Sequence, residues 1–285
     1  MIANILDGIV FGLQLGLLAT GLTLVYGLGG VLNMAYGQIA VVSAMVVAFA
    51  MDAGLPVLPA VVVGLIAGGL VGLLLDQTLL RPVYRLHEEP RVLLSLLLTL
   101  GLSFIIDGFL IWRYPLQALS LHIGGGAIDI LGVPMRRGSL VASAITLMTF
   151  AGLFLFFRYT SLGLAIRSVI EDEEGARLVG ITPQKMMRLI LILSGVLAAV
   201  VAVTRSMVTP VDTTAGLSIT VFALIVTVVG GLGSVAGAFF AGIILGIINV
   251  VAASYIGSYI SLIILLAAAA LTILIRPAGL LGVKE

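Results

Sequence analysis

Few side chains in this chain can do chemistry, and their placement limits what that chemistry is. There are two histidines, His87 and His122, and no cysteine. Without cysteine, disulfides, thiolate metal sites and cysteine nucleophiles are excluded. A zinc hydrolase would need something like His-Glu-x-x-His on one helix face. His87 is followed by Glu88-Glu89 and no second ligand at that spacing, so it reads as part of a solvated loop. A serine hydrolase within a membrane would need a hydroxyl and a base within hydrogen-bond reach, and both histidines fall in loops at opposite ends of the apolar segments. The two lysines, Lys185 and Lys284, lie outside any Gly-x-x-x-x-Gly-Lys-Ser/Thr phosphate loop. The chain is therefore read as no enzyme, and no metal or nucleotide is expected on it. Binding is what remains: polar groups sunk in hydrocarbon at Thr20, Thr23, Asn33, Gln38 and Asp107, and a charged stretch from Arg167 to Ile181.

The elements that must position these groups follow from composition. Hydrophobic residues make up 61% of the 285 residues and charged residues 9%, against about 25% charged in soluble proteins. This is an all-α, polytopic membrane protein, read as a single domain over 1–285. Charge-free runs cover Gly8–Met51, Ala53–Leu75, Gly138–Phe157, Leu189–Thr204 and Thr213–Ile275, and roughly 20 apolar residues make one helical span. Two spans in the first run, three in the last and one at Val92–Trp112 give eight or nine crossings, depending on whether Gly27–Gly37 is a break or a loop. Met1–Asp7 carries no basic residue, so no cleavable signal is expected.

Lys and Arg concentrate on the cytoplasmic side of membrane proteins. Placing the loop at about 158–188 inside also puts Asp76–Arg91 and the C-terminus inside. Arg81, Arg85, Arg91, Arg158, Arg167, Arg177, Lys185, Arg188, Arg276 and Lys284 are then cytoplasmic, against Arg113, Arg136, Arg137 and Arg205 outside. The side of the N-terminus depends on the span count. The net charge of +1 discriminates no partner, and no nucleic-acid partner is expected.

Asp107 is the one acid well inside an expected span; Asp7, Asp52, Asp76 and Asp212 sit at span ends. Intramembrane acids are costly and mark pathways, so Asp107 either lines a solute path or lies shallow beside Trp112 and Tyr114. Gly12, Gly16, Gly21 and Gly27 allow close helix packing in the first spans. Thr20 and Thr23 either bond their own helix or face the path. Asn33 and Gln38 border Gly29-Gly30, where irregular backbone at membrane depth is tolerated if it lines a cavity. Gly27-Leu-Gly-Gly-Val31 and Gly231-Leu-Gly-Ser-Val235 form a faint internal echo of broken elements, or Gly231 and Gly233 are simply a tight turn.

The charged stretch is expected to form one short helix with Glu171, Asp172, Glu173 and Glu174 at its N-terminus, where the helix dipole favours them. Ala176, Leu178 and Val179 would give it a small apolar knob, Gly180 would stop it, and Thr182-Pro183 would start the next span. From the residues alone it fits a docking helix or a solvated charge run.

Four segments share a pattern. Glu-Asp-x-x-x-Ala-x-x-x-Gly-Ile at 171–181 resembles the coupling loop of permeases of branched-chain amino acid ABC importers, of which urea permeases are close relatives. Gly30-Val-Leu-Asn-Met-Ala-Tyr-Gly-Gln38 resembles that family's early Gly-x-x-Asn-x-Ala-x-Gly segment. Val229–Gly246, with Gly231, Gly233 and Gly237, resembles its glycine-rich loop and following helix, and Arg276-Pro-Ala-Gly-Leu-Leu-Gly282 its C-terminal signature. The family often has a neutral amide where Asp107 stands. The resemblance implies a multi-pass permease subunit of the bacterial inner membrane that imports branched-chain or other hydrophobic amino acids. It also implies a related or identical second permease, two cytoplasmic ATPases holding ATP and Mg, and an external substrate-binding protein. Urea or a short amide is the alternative solute, and an ion-coupled carrier acting alone the alternative class. Glu171, Asp172, Ala176, Leu178 and Gly180 would contact the ATPase.

Overall fold

The computed structural model describes residues 1–86, 88–115, 117–122, 128–130, 133–276 and 278–281. His87, Pro277, Gly282 and Lys284 fall outside them. The helices, in chain order, are α1 (Ile2–Gly29), α2 (Tyr36–Asp52), α3 (Val57–Leu75), α4 (Glu88–Arg113), α5 (Arg137–Tyr159), α6 (Ser161–Glu171), α7 (Glu173–Leu178), α8 (Pro183–Ser206), α9 (Ala215–Gly230), α10 (Val235–Ile256) and α11 (Ser258–Ile275). A π-helical turn, Asp76–Leu80, prolongs α3, and a 3-10 turn, Val83–Arg85, follows it. The all-α expectation holds apart from two small antiparallel pairs. β1 (Ala118–Leu119) pairs with β4 (Val211–Asp212), and β2 (Ile128–Ile130) with β3 (Val133–Met135).

Among the described residues seven helices are long and apolar enough to cross a membrane, and α2 and α9 are shorter apolar helices of 17 and 16 residues. A 17-residue helix covers about 25 Å of a hydrocarbon core about 30 Å thick. For α2 the shortfall is met by the non-helical segment 30–35, which runs beside α4 before the helix begins. The region Gly27–Gly37 is thus both a reversal and a break: α1 ends in a left-handed Gly30 (φ 59°) and the chain then continues without helix until α2 begins at Tyr36. The seven long helices together with α2 and α9 make nine apolar helices among the described residues; were all nine to cross, with the basic-rich end cytoplasmic, the N-terminus would lie outside and the C-terminus inside.

The core is built around α1, whose packing against α10 is a ladder of small residues. A Cβ added at Gly8 would stand 2.7 Å from the Ile247 Cα, at Gly12 2.7 Å from the Ile243 Cα, and at Gly16 3.4 Å from the Phe239 Cα. The helices run antiparallel with backbones nearly touching, which four-residue spacing of small residues permits. At Gly21 the space is taken by the Tyr36 ring, whose hydroxyl donates to the Ser194 carbonyl at 3.2 Å.

Asp76 departs from the expectation of a solvated span end. It is 5% exposed and its Oδ2 accepts from Arg188 Nε at 3.4 Å, joining the π-helical turn to the start of α8. A buried carboxylate needs such a partner because desolvation otherwise disfavours its charge.

Candidate functional site

The broken element is held by α4. Ser95, Thr99, Ser103 and Asp107 recur every four residues and so share one face of that helix. Leu32 N–H donates to Ser95 Oγ (3.2 Å) and Met34 N–H to Thr99 Oγ1 (2.9 Å). These hydroxyls satisfy amides that have no helical partner, the condition on which irregular backbone survives in an apolar bundle. One turn further, Gln38 Nε2 donates to Ser103 Oγ at 3.3 Å. At the other end of the segment, Arg91 donates to the carbonyls of Gly29, Tyr84 and Leu86, closing the negative end of α1. The first turn of α2 is secured from α9, where Thr220 Oγ1 accepts from Gly37 N–H at 2.9 Å.

Three expected path residues are brought together on this seam. Asn33 is fully buried; its Oδ1 accepts from Ala35 N–H (3.0 Å), while its Nδ2 has no partner. Gln38 is fully buried with Oε1 unpartnered, and it lies beside Asp107, whose buried Oδ1 is also unpartnered. Exchanging the Gln38 amide oxygen and nitrogen resolves both orphans, since Ser103 O–H can donate to Oε1 and Nε2 to the carboxylate. Asp107 therefore belongs to the seam, with its carboxylate turned toward Gln38. The other two candidates stay on α1. Thr20 Oγ1 donates to its own Gly16 carbonyl at 2.8 Å, and Thr23 Oγ1 is buried without a partner.

Ser95, Thr99, Ser103 and Arg91 were missed in the sequence, although the four-residue hydroxyl spacing was visible. Replacing Thr99 by valine leaves the part-buried Met34 N–H without its acceptor, which costs about 1 kcal/mol or more. Thermal unfolding of the solubilised chain should show this loss for Thr99→Val and little for Thr99→Ser. Equal behaviour of the two variants would mean the segment is anchored elsewhere.

The charged stretch forms two helices instead of one. Asp172 takes an extended conformation (φ −154°) and its Oδ1 accepts from Gly175 N–H at 2.9 Å, so it caps α7 and ends α6. Glu171 is accordingly the last residue of α6 and leaves the acidic first turn, which keeps Glu173 and Glu174. Ala176 is a second correction: it is 3% exposed, while Leu178 and Val179 are 89% and 75% exposed. Two residues turn a helix by roughly 200°, so Ala176 faces this chain and Leu178 faces away from it. The knob is Leu178 with Val179. Gly180 has φ 86°, Gly180 N–H donates to the Arg177 carbonyl and Ile181 N–H to the Ala176 carbonyl, a Schellman ending. Pro183 opens α8 as expected, with Thr182 at the cap position but without a side-chain cap bond.

Gly231 (φ 105°) and Gly233 (φ 90°) form the turn between α9 and α10, and Gly237 packs against Gly230 inside the following helix. The two echoing pentamers are not equivalent, since Gly27 is helical and Gly231 is a cap. They meet instead: a Cβ on Gly27 would stand 3.1 Å from the Gly233 Cα. The C-terminal signature closes the same corner, where Leu280 N–H donates to Val229 O (2.9 Å) and Leu281 N–H to Gly230 O (3.2 Å). These amides satisfy carbonyls that the end of α9 leaves open.

Residues 4–275 match the family described as branched-chain amino acid transport system / permease component. The high-affinity branched-chain amino acid transport system permease protein LivH of Escherichia coli is 25% identical, over 98% of this chain and 94% of its own length. BraD, the corresponding protein of Pseudomonas aeruginosa, is 26% identical over 99% and 96%. The probable branched-chain amino acid transport permease protein LivH of Methanocaldococcus jannaschii is 29% identical over 84% and 77%. Among solved structures, PsaBC from Streptococcus pneumoniae in complex with Fab aligns with 94% of this chain and 89% of its own, at TM-score 0.49 and 14% identity. A family match running from the first turn of α1 to the end of α11 means that the chain belongs to the branched-chain amino acid transport system permease family, as a multi-pass permease subunit of an inner-membrane ABC importer.

Proposed function

We propose that this subunit conducts branched-chain or similar hydrophobic amino acids inward along the seam between α2 and α4. It would do so beside a second permease, related or identical, with two ATPases that hold ATP and Mg and with an external protein that delivers the solute. One observation carries the assignment of the path: non-helical backbone inside an apolar bundle, bearing an unpartnered donor at Asn33 Nδ2 and leading into Gln38, which lies beside Asp107. The start of α2 lies inside the bundle, so its positive dipole end and Asn33 Nδ2 suit a solute carboxylate. Asp107 and the Gln38 carbonyl suit an ammonium group. The walls are Leu, Val and Ala, which accept an aliphatic side chain without tight selection. In the present conformation Asn33 and Gln38 are closed off from solvent, so conduction requires the seam to open.

α6 and α7 would receive the ATPase stroke, and α7 leads through Gly180 directly into α8, which Arg188 ties to Asp76. Closure of the ATPases on ATP can bias such an element only by contacting its two positions differently.

The test is leucine uptake by the reconstituted complex with its binding protein and ATP. Uptake of leucine is expected, with Asn33→Leu and Gln38→Leu each reducing it several-fold while assembly is kept. Urea carried in place of leucine would shift the solute class. Unchanged leucine uptake with lowered thermal stability would make Asn33 a structural residue only.

A further inference from the structure

A second polar site lies at the outer end of the bundle, well away from the α2–α4 seam. A cavity of about 450 Å³ opens between the first turns of α1, the start of α5, the end of α8 and the outer part of α10. That volume falls in the range of small-molecule sites, roughly 300–1,000 Å³. Arg205 from α8, Gln14 and Asp7 from α1, and Asn249 from α10 reach it, and Phe11 and Val250 give it apolar wall.

Two of these groups lack what burial demands. Gln14 is 4% exposed and its Nε2 has no hydrogen-bond partner. Arg205 is partly buried and lies 5.9 Å over the Phe11 ring, and among the described residues it has no ion pair within 4 Å and no hydrogen bond. Asp212 acts on it only through space, and its Oδ1 accepts instead from Thr214 N–H and Oγ1–H. A partly buried guanidinium with no anion beside it leaves its fork of donors open, and a carboxylate or phosphate would take that fork directly. Asp7 stands exposed on the rim, a negative charge facing the mouth of the same cavity.

We infer that this outer cavity binds a small zwitterion. Its anionic group would lie on Arg205 and Gln14 Nε2, its ammonium toward Asp7, and a short apolar body would follow Phe11 and Val250. The pattern is that of an amino acid, and an aminophospholipid headgroup presents the same chemistry. Where the ligand is an amino acid, the inference rests on the proposed function, and the cavity is an outer station that the solute occupies before the seam.

The experiment uses the assembled transporter, without its binding protein, in nanodiscs of phosphatidylcholine. Saturable binding of radiolabelled leucine is expected. Arg205→Gln and Gln14→Leu should each weaken it roughly tenfold or more. Asp7→Asn, an exposed change that spares folding, should weaken leucine but not its deaminated analogue 4-methylpentanoate. In a second arm, native mass spectrometry of the transporter purified from its own membrane counts retained phosphatidylethanolamine. Lipid retention that falls in Arg205→Gln, with no leucine binding, identifies the headgroup as the ligand. Leucine binding and lipid retention that are both absent, or both indifferent to Arg205→Gln and Gln14→Leu, overturn the inference. Leucine uptake by the complete complex, measured beside these arms, separates this failure from failure of the proposed function.

Discussion

Replacing Leu178 by aspartate is expected to abolish ATP-driven uptake while leaving the membrane bundle intact. Leu178 is the most exposed apolar side chain of the short helix α7, and nothing among the described residues covers it. A large aliphatic group held out on a capped and rigid turn is suited to filling a pocket on a partner. Central interface anchors of this kind cost about 2 kcal/mol or more when truncated, which is roughly a thirtyfold loss of affinity, and a buried unpaired carboxylate costs further. Recovery of the ATPase on the solubilised permease should therefore collapse, and with it the solute-stimulated hydrolysis in proteoliposomes. Solute binding by the external protein should be unchanged. Ala176→Trp is the instructive contrast. Ala176 faces its own chain, so overfilling it should lower the thermal stability of the permease even when the ATPase is absent. Wild-type stimulated hydrolysis in Leu178→Asp would reduce α6 and α7 to a solvated loop.

Residues 171–181 also show which features a sequence discloses. That a charged island interrupts the hydrocarbon is compositional and needs no structure. Where its helices begin depends on a local competition, and Asp172 wins it by bonding Gly175 N–H, so the acidic run is split and Glu171 falls on the wrong side. Helical phase over six residues is similarly invisible in an aperiodic charged stretch, which is why Ala176 was read as outward. The break near Gly29-Gly30 was legible because two glycines beside Asn33 in an apolar run have few other uses. Its support was not. Hydroxyls in membrane helices mostly bond their own turn, as Thr20 does, and only the neighbouring strand of non-helical backbone turns Ser95 and Thr99 into acceptors. The seam is thus a product of two segments, each unremarkable alone. The same holds for the outer cavity, whose polar lining, Arg136 and Ser139 at the start of α5 included, is drawn from helices distant in the chain.

The fold itself rests most heavily on one such distant pairing, and Gly12 is where it is expected to fail first. Of the glycines whose close packing the sequence suggests, Gly12 and Gly16 meet α10, joined there by Gly8, and that partner could not be read from any local pattern. At Gly12 an added Cβ would stand 2.7 Å from both the Gly242 carbonyl oxygen and the Ile243 Cα. Both obstacles are backbone, so no rotamer change can relieve them. Gly12→Leu must drive α1 and α10 apart along their whole contact, and because α1 is the most enclosed helix, the opening spreads to α5 and α8. The cost is about 3 kcal/mol or more, at or beyond the upper end of ordinary overpacking, in a chain whose total stability is of order 5–15 kcal/mol. Gly101 in α4 supplies the control, since nothing lies within 4 Å of a Cβ placed there. Gly101→Leu should leave the chain as stable as wild type, helped slightly by helix propensity. The measurement is the thermal midpoint of the solubilised chain and its recovery from the membrane. Gly12→Leu should lose most of both, and Gly12→Ala should fall between. A Gly12→Leu chain that unfolds at the wild-type temperature would mean that α1 and α10 do not approach as described, and the position of the outer cavity between them would fall with that contact.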